Sequence, residues 1–199
     1  MSSVITKKID KSLAALTVAL EDREDFFFTT SFGYQSALII YLLCSVKLSP
    51  PGLYVKSSLA GGGVVNHKTT LTEKFSIDLT EVDRESWLDM QLGSRQFDEL
   101  HDLEKRIICR DLKKPLLKEY IKEFEKSLWI SGVRRDQTES RGGTKFLMAS
   151  DLGVTKISPL YDWSGAQVYQ ALKLLNLPIN ESYEDLCKRN STGECGLHV

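Results

Sequence analysis

The segment best equipped for covalent chemistry is Glu194-Cys195-Gly196-Leu197-His198, a cysteine between a carboxylate and a histidine. Only a thiolate is an effective nucleophile, and a neighbouring imidazolium or guanidinium raises the thiolate fraction. Cys195 could act as a nucleophile and His198 could lower its pKa, although a lone cysteine in such a stretch is usually chemically unremarkable. A plain surface cysteine is the alternative. A second is half a zinc site, since Cys-x-x-His spacing could draw further ligands from Cys109 and Cys187, but no paired ligand spacing supports it.

Two other stretches could hold an anion. In Gly132-Val133-Arg134-Arg135-Asp136-Gln137-Thr138-Glu139-Ser140-Arg141, three guanidiniums fall within eight residues, with Gln137 and Ser140 between them. Arginine forks grip phosphate or sulfate in bidentate fashion better than lysine does. The competing reading is a solvated loop whose arginines pair with Asp136 and Glu139. In Thr29-Thr30-Ser31-Phe32-Gly33-Tyr34-Gln35-Ser36, hydroxyls and a glycine lie between two apolar runs. A turn from strand into helix offers free backbone N–H groups to an anion, and Gly33 would allow close approach. An ordinary turn with a serine N-cap is the simpler alternative.

The flanking patterns say what positions these stretches. Phe26 to Thr30 reads as a buried strand and Gln35 to Val46 as a buried helix, ended by Pro50-Pro51-Gly52. Leu53-Tyr54-Val55 is a second strand. Asn66 to Phe75 is helical, and Ser76 to Val82 is a third strand. Residues 4–23 have helical spacing, and Glu85 to Lys126 is charge-rich and mostly helical. Leu128 to Val133 and Lys156 to Leu160 are further strands, and Trp163 to Leu175 is a helix with Ser164 near its start. Strands alternating with helices predict an α/β fold, a mostly parallel twisted sheet flanked by helices. Residues 1–179 form the predicted α/β domain. The polar stretch 180–199 is predicted to be a mobile tail that carries Cys195.

Bulk properties narrow the partners. The chain has 199 residues, 26 basic and 27 acidic, so its net charge of −1 offers no general attraction to nucleic acid or to a membrane surface. The first residues lack the apolar core of a signal peptide, and the longest apolar stretch, Ala37 to Val46, is too short to span a bilayer. A cytoplasmic location is expected. That compartment favours free, catalytic or metal-bound thiols over stable pairs for Cys44, Cys109, Cys187 and Cys195. Cys44, in an apolar helix, reads as a core residue.

The order of these motifs resembles the phosphoadenylyl-sulfate reductase family, sulfonucleotide reductases of the PP-loop superfamily. Thr29 to Ser36 resembles the family's modified PP-loop. ATP-cleaving relatives carry Ser-Gly-Gly-x-Asp-Ser, so Phe32 stands for their first glycine and Gln35 for their aspartate. Trp129, Gly132, Arg134, Arg135, Gln137, Thr138, Ser140 and Arg141 match W-x-x-G-x-R-R-x-Q-S/T-x-S-R, the loop that contacts phosphate and sulfate groups in the family. Lys156 to Trp163 resembles K-V-x-P-I/L-x-D-W, and Ile108 to Leu116 resembles the region around the family's K-x-x-P-L/M. Glu194 to His198 is the family's active-site signature.

The resemblance implies a reaction. Cys195 attacks the sulfur of 3′-phosphoadenylyl sulfate, and reduced thioredoxin or glutaredoxin then releases sulfite. It implies substrate contacts at Thr30, Ser31, Phe32, Gly33, Gln35, Ser36, Gly132, Arg134, Arg135, Gln137, Ser140 and Arg141. It also allows a homodimer. Adenylyl-sulfate reductases hold a 4Fe–4S cluster on a Cys-Cys pair and a later Cys-x-x-Cys. Here Cys109 has no cysteine neighbour and Cys187 no cysteine three residues away, so no bound cluster or metal is expected. Two departures stand out. The family's T-D-T-G-x-x-F-x-E-T segment reads Val55 to Gly63 without its Asp and Glu, and the stretch between Leu177 and Glu194 is short. A PP-loop transferase acting on ATP, an adenylyl-sulfate reductase and a non-catalytic nucleotide-binding protein are the competing readings.

Overall fold

The computed structural model describes residues 2–61 and 63–188. Three aromatic residues start its sheet. In β1 (Phe26–Thr29) the side chains of Phe26 and Phe28 enter one core and Phe27 the opposite one. Alternation along a strand sends neighbours to opposite faces, so an unbroken apolar run marks a strand covered on both sides. The first core is closed by α1 (Ser2–Leu20), α2 (Ser36–Cys44) and α6 (Gly165–Leu174). In α2 seven of nine residues are buried, which is why its sequence is apolar on every side.

The remaining strands are β2 (Pro51–Lys56), β3 (Asp78–Asp83), β4 (Leu128–Ile130), β5 (Leu147–Ala149) and β6 (Thr155–Ile157). Their spatial order is β3-β2-β1-β4-β6-β5, parallel except for the β5–β6 pair. The α/β fold predicted from the sequence is the one observed. After β1 the chain runs outward through α2, β2, α3 (Gly63–Lys74) and β3. It then returns through α4 (Glu85–Leu92) and α5 (Asp102–Glu123) to place β4 on the other side of β1. That reversal opens a crevice at the carboxyl ends of β1 and β4, where open α/β sheets bind ligands. Leu117 and Tyr120 of α5 pack on Phe27, Leu53 and Trp129 and cover the second face.

Helix α1 is predicted from its apolar spacing, but its buried face is Ile5, Ile9, Ser12, Leu16 and Leu20, with Val4 and Val18 exposed. Ser12 belongs to that face because its hydroxyl donates to the Pro159 carbonyl at 3.0 Å and accepts from Trp163 Nε1 at 3.2 Å. Asp162 adds a charged link. Lys11 Nζ donates to its carboxylate at 2.9 Å, and Lys8 Nζ donates to its backbone carbonyl at 2.6 Å. Burial alone would raise the Asp162 pKa, but Lys11 and Lys8 outweigh it and hold the carboxyl below its ordinary 3.8. A depressed carboxylate stabilises the fold above its unfolded pKa, and that contribution is lost as pH falls through the lower folded value. Asp162→Asn is therefore expected to cost about 0.5–1 kcal/mol at pH 7, a cost that shrinks as pH falls below the ordinary carboxylate range. Urea denaturation at neutral and at acid pH checks this; an equal loss in both would contradict it.

Candidate active site

The turn after β1 is built from hydroxyls. Thr30 Oγ1 accepts from the Phe32 N–H at 3.0 Å and donates to Ser36 Oγ at 3.1 Å, and the Ser36 N–H donates to the Gly33 carbonyl at 3.0 Å. The N-cap of α2 is Gln35, whose side chain makes no capping bond, so the serine cap that an ordinary turn would use is absent. Phe32 has φ +49°, the left-handed region, where a bulky side chain costs about 1–2 kcal/mol. Its ring is fully buried and meets Tyr54 edge-on at 5.1 Å, which holds the backbone there. Gly33 leaves room for a neighbouring ring. A Cβ on it would come within 2.8 Å of the Tyr183 ring.

Gln35 ties this turn to the arginine loop. Its Nε2 donates to the Gly132 carbonyl at 2.7 Å, while its Oε1 accepts from Arg134 Nη1 at 2.6 Å and from Gln137 Nε2 at 3.4 Å. Arg134 Nε also donates to Asp136 at 2.9 Å, and Asp136 accepts the Gly165 N–H at the start of α6 at 2.7 Å. Removing the amide leaves a buried guanidinium without that acceptor, which costs about 1–3 kcal/mol. Gln35→Leu should lower unfolding stability by that amount, and Ser140→Ala by less than about 0.5 kcal/mol. Parallel urea titrations of the two variants test the cross-link, and equal values would refute it.

The three arginines diverge. Arg135 donates from Nε to the Thr144 carbonyl at 2.6 Å and lies 4.8 Å over the Tyr161 ring, outside the crevice. Arg134 is spent on Gln35 and Asp136. Arg141 is buried, donates from Nη1 to Gln137 Oε1, and lines the crevice. Ser140 pairs with Thr138 at 3.1 Å, away from it.

The crevice is a cavity of about 290 Å³. Of the sequence-predicted residues, Thr30, Ser31, Gly33, Gln35, Ser36, Gly132, Gln137 and Arg141 line it together. Phe32, Arg134, Arg135 and Ser140 do not. Cys195 and His198 lie outside the described residues. Among the lining residues that sequence reasoning missed, those with polar groups to offer a ligand include Lys113 of α5, Tyr54 of β2, Tyr183 and Asp185. Lys113 stood inside the quoted Ile108 to Leu116 stretch, the one signal that could have found it. Burial first, then Glu81, pushes the Tyr54 pKa up to about 12, so its hydroxyl stays a hydrogen-bond donor across the working pH range.

The expectation of unpaired thiols needs correction at two positions. Cys109 of α5 and Cys187 form a disulfide with Cα atoms 5.8 Å apart, fully buried among Leu59, Leu88, Phe97, Leu100, Ile108 and Leu112. They are 78 residues apart in sequence, so only the fold brings them together. Cys44 is free, and burial pushes its pKa up to about 11, consistent with an inert packing role. No helix among the described residues is long and apolar enough to cross a membrane.

Residues 25–189 match the model of the phosphoadenosine phosphosulfate reductase domain. The chain belongs to that family. Among its relatives, adenosine 5′-phosphosulfate reductase of Salinibacter ruber is 28% identical over 78% of this chain and 61% of its own length. Phosphoadenosine 5′-phosphosulfate reductase of Proteus mirabilis is 26% identical over 80% of this chain and 65% of its own. The chain thus spans less than two thirds of the length of these curated relatives. The crystal structure of phosphoadenylyl-sulfate reductase from Candida auris superposes with a TM-score of 0.69 at 18% identity, covering 85% of this chain and 82% of that one. In this reductase-family fold the crevice between β1 and β4 is the place where the family motifs of the turn and of the arginine loop converge.

Proposed function

We propose that the chain reduces a sulfonucleotide, 3′-phosphoadenylyl sulfate, to sulfite, with Cys195 as nucleophile and thioredoxin or glutaredoxin as reductant. The observation that carries the reading is the convergence of the Thr30–Ser36 turn with Arg141 and Lys113 on one crevice, in a chain of this family. Hydroxyls and the amino end of α2 receive one anionic group, and the two cations receive another. Gln35, standing where ATP-cleaving relatives carry an aspartate, is bonded to Gly132 and Arg134 instead of presenting a carboxylate for a metal ion. That favours a reaction at sulfur over ATP cleavage.

In the proposed reaction the Cys195 thiolate attacks the sulfur of the bound sulfonucleotide. The S–O bond to phosphate breaks, and adenosine 3′,5′-bisphosphate departs with the electron pair. An S-sulfocysteine remains. A thioredoxin thiolate attacks Cys195 Sγ and expels sulfite, and the second thioredoxin thiol resolves the mixed disulfide and frees Cys195. The nucleophile is a thiolate and the electrons come from a dithiol, so the chemistry calls for no resident metal or cluster. The 3′-phosphorylated substrate is preferred here because the cysteine spacing of the cluster-bearing adenylyl-sulfate enzymes is absent.

Sulfite release with reduced thioredoxin, compared between 3′-phosphoadenylyl sulfate and adenylyl sulfate, tests the reading. Release from the first alone supports it, and release from the second alone overturns the substrate assignment. Nucleotide binding with no release from either overturns the activity in favour of a binding protein.

A further inference from the structure

Residues 180–187 lie across the crevice and are fastened at both ends. At the near end, Asn180 Nδ2 donates to the Phe32 carbonyl at 3.0 Å and to the Gly63 carbonyl at 3.2 Å. In the middle, the Tyr183 hydroxyl lies 3.0 Å from both Ser31 Oγ and Asp185 Oδ2, with its ring on the bare face of Gly33. At the far end the segment pairs antiparallel with the loop after β2. The Gly61 N–H donates to the Glu184 carbonyl and the Leu186 N–H to the Leu59 carbonyl, each at 2.9 Å. Cys187 then closes the segment onto Cys109.

The strap occupies groups that an anionic nucleotide would use. Ser31 Oγ is engaged by Tyr183, Gly33 is covered by its ring, and the Asp185 carboxylate lies in a cavity otherwise equipped with Lys113 and Arg141. A carboxylate there opposes a polyanion. With the strap in place the cavity, about 290 Å³, sits at the lower edge of the roughly 300–1,000 Å³ usual for small-molecule sites. Apart from the disulfide, the strap is held mainly by hydrogen bonds and by few apolar side chains, the kind of segment that opens locally at low cost.

We propose that Cys109–Cys187 is a reducible thiol–disulfide site, distinct from Cys195, that locks residues 180–187 across the nucleotide crevice until a dithiol opens it. The proposal rests on the crevice being the nucleotide site. A dithiol thiolate attacks one sulfur of the bond, giving a mixed disulfide and one free cysteine thiolate. The second thiol of the reductant then displaces the other cysteine. Two electrons pass, the dithiol becomes a disulfide, and Cys109 and Cys187 each end as thiols. Access to the crevice would then follow the supply of the same class of reductant that the proposed reaction consumes.

The test uses the full chain, oxidised with oxidised glutathione or reduced with dithiothreitol, and peptide mapping to verify the bond. Adenosine 3′,5′-bisphosphate is titrated calorimetrically into each form, and hydrogen–deuterium exchange is followed over residues 180–187. Reduction is expected to tighten binding at least about tenfold, or ~1.4 kcal/mol, and to speed exchange in the strap. Cys109→Ser, kept oxidised, should behave like the reduced parent. Equal or weaker binding after reduction, with exchange in the strap unchanged, overturns the lock, as does failure of the bond to form under oxidised glutathione. Faster exchange with no binding in either form would uphold the lock and reject the nucleotide reading instead.

Discussion

Cys195→Ser should lower sulfite release at least about 10³-fold, to the floor of the assay, while nucleotide affinity stays within about twofold of the parent. A serine hydroxyl is not ionised at neutral pH, so the variant retains the bulk of the side chain and loses the nucleophile. The binding groups named above lie on the β1 turn, α5 and the arginine loop, far from residue 195 in sequence, which is why affinity should persist. Single-turnover sulfite assays, paired with calorimetric titration of adenosine 3′,5′-bisphosphate, separate the two effects. Sulfite at the parental rate would remove Cys195 from the mechanism. A parallel collapse of binding would make the variant a folding defect.

Arg141→Ala is expected to weaken nucleotide binding about 10- to 100-fold, the loss of ~1.5–3 kcal/mol typical of a hydrogen bond to a charged group. Arg141 is 7% exposed, so its charge acts in a site little screened by salt. Arg141→Lys should recover only part of the loss, since an ammonium cannot replace a planar fork. Arg134→Ala differs in kind. Its guanidinium is already bonded to Gln35 and Asp136, so its loss should show chiefly in unfolding stability. Titration and urea unfolding of both variants distinguish a ligand-facing arginine from a loop-holding one. The reverse assignment of effects would show that the crevice is not where the anion sits.

How much of this was legible in the sequence depends on what holds each part. Phe26 to Phe28 and α2 announce themselves because burial on all sides demands an unbroken apolar run. The edge strand β5 carries no such signal, since Leu147, Met148 and Ala149 are all exposed and three residues are too few for alternation to register. The predicted strand from Lys156 to Leu160 is shorter in the fold and ends at Ile157, where the backbone turns through Ser158 and Pro159. At the site, motif spacing located the turn and the arginine loop. Spacing does not encode where a guanidinium points, so it could not separate Arg141 from Arg135, which turns to Thr144 and Tyr161. The Cys109–Cys187 bond joins elements 78 residues apart, and no local pattern signals such a pair. Tyr183 and Asp185 were hidden for a related reason. Their stretch is poor in apolar residues, and hydrogen bonds with one covalent link secure it where composition alone suggests a loose tail.

Transfer of the sulfonate group to Cys195 leaves a covalent mark that mass spectrometry reads. The protein is incubated with 3′-phosphoadenylyl sulfate without reductant, digested, and the cysteine peptides are weighed. One added SO₃ group on the Cys195 peptide, removed when reduced thioredoxin is added and matched by released sulfite, is the predicted result. An unmodified Cys195 in protein that nonetheless releases sulfite would contradict the account, as would the added group on any other cysteine.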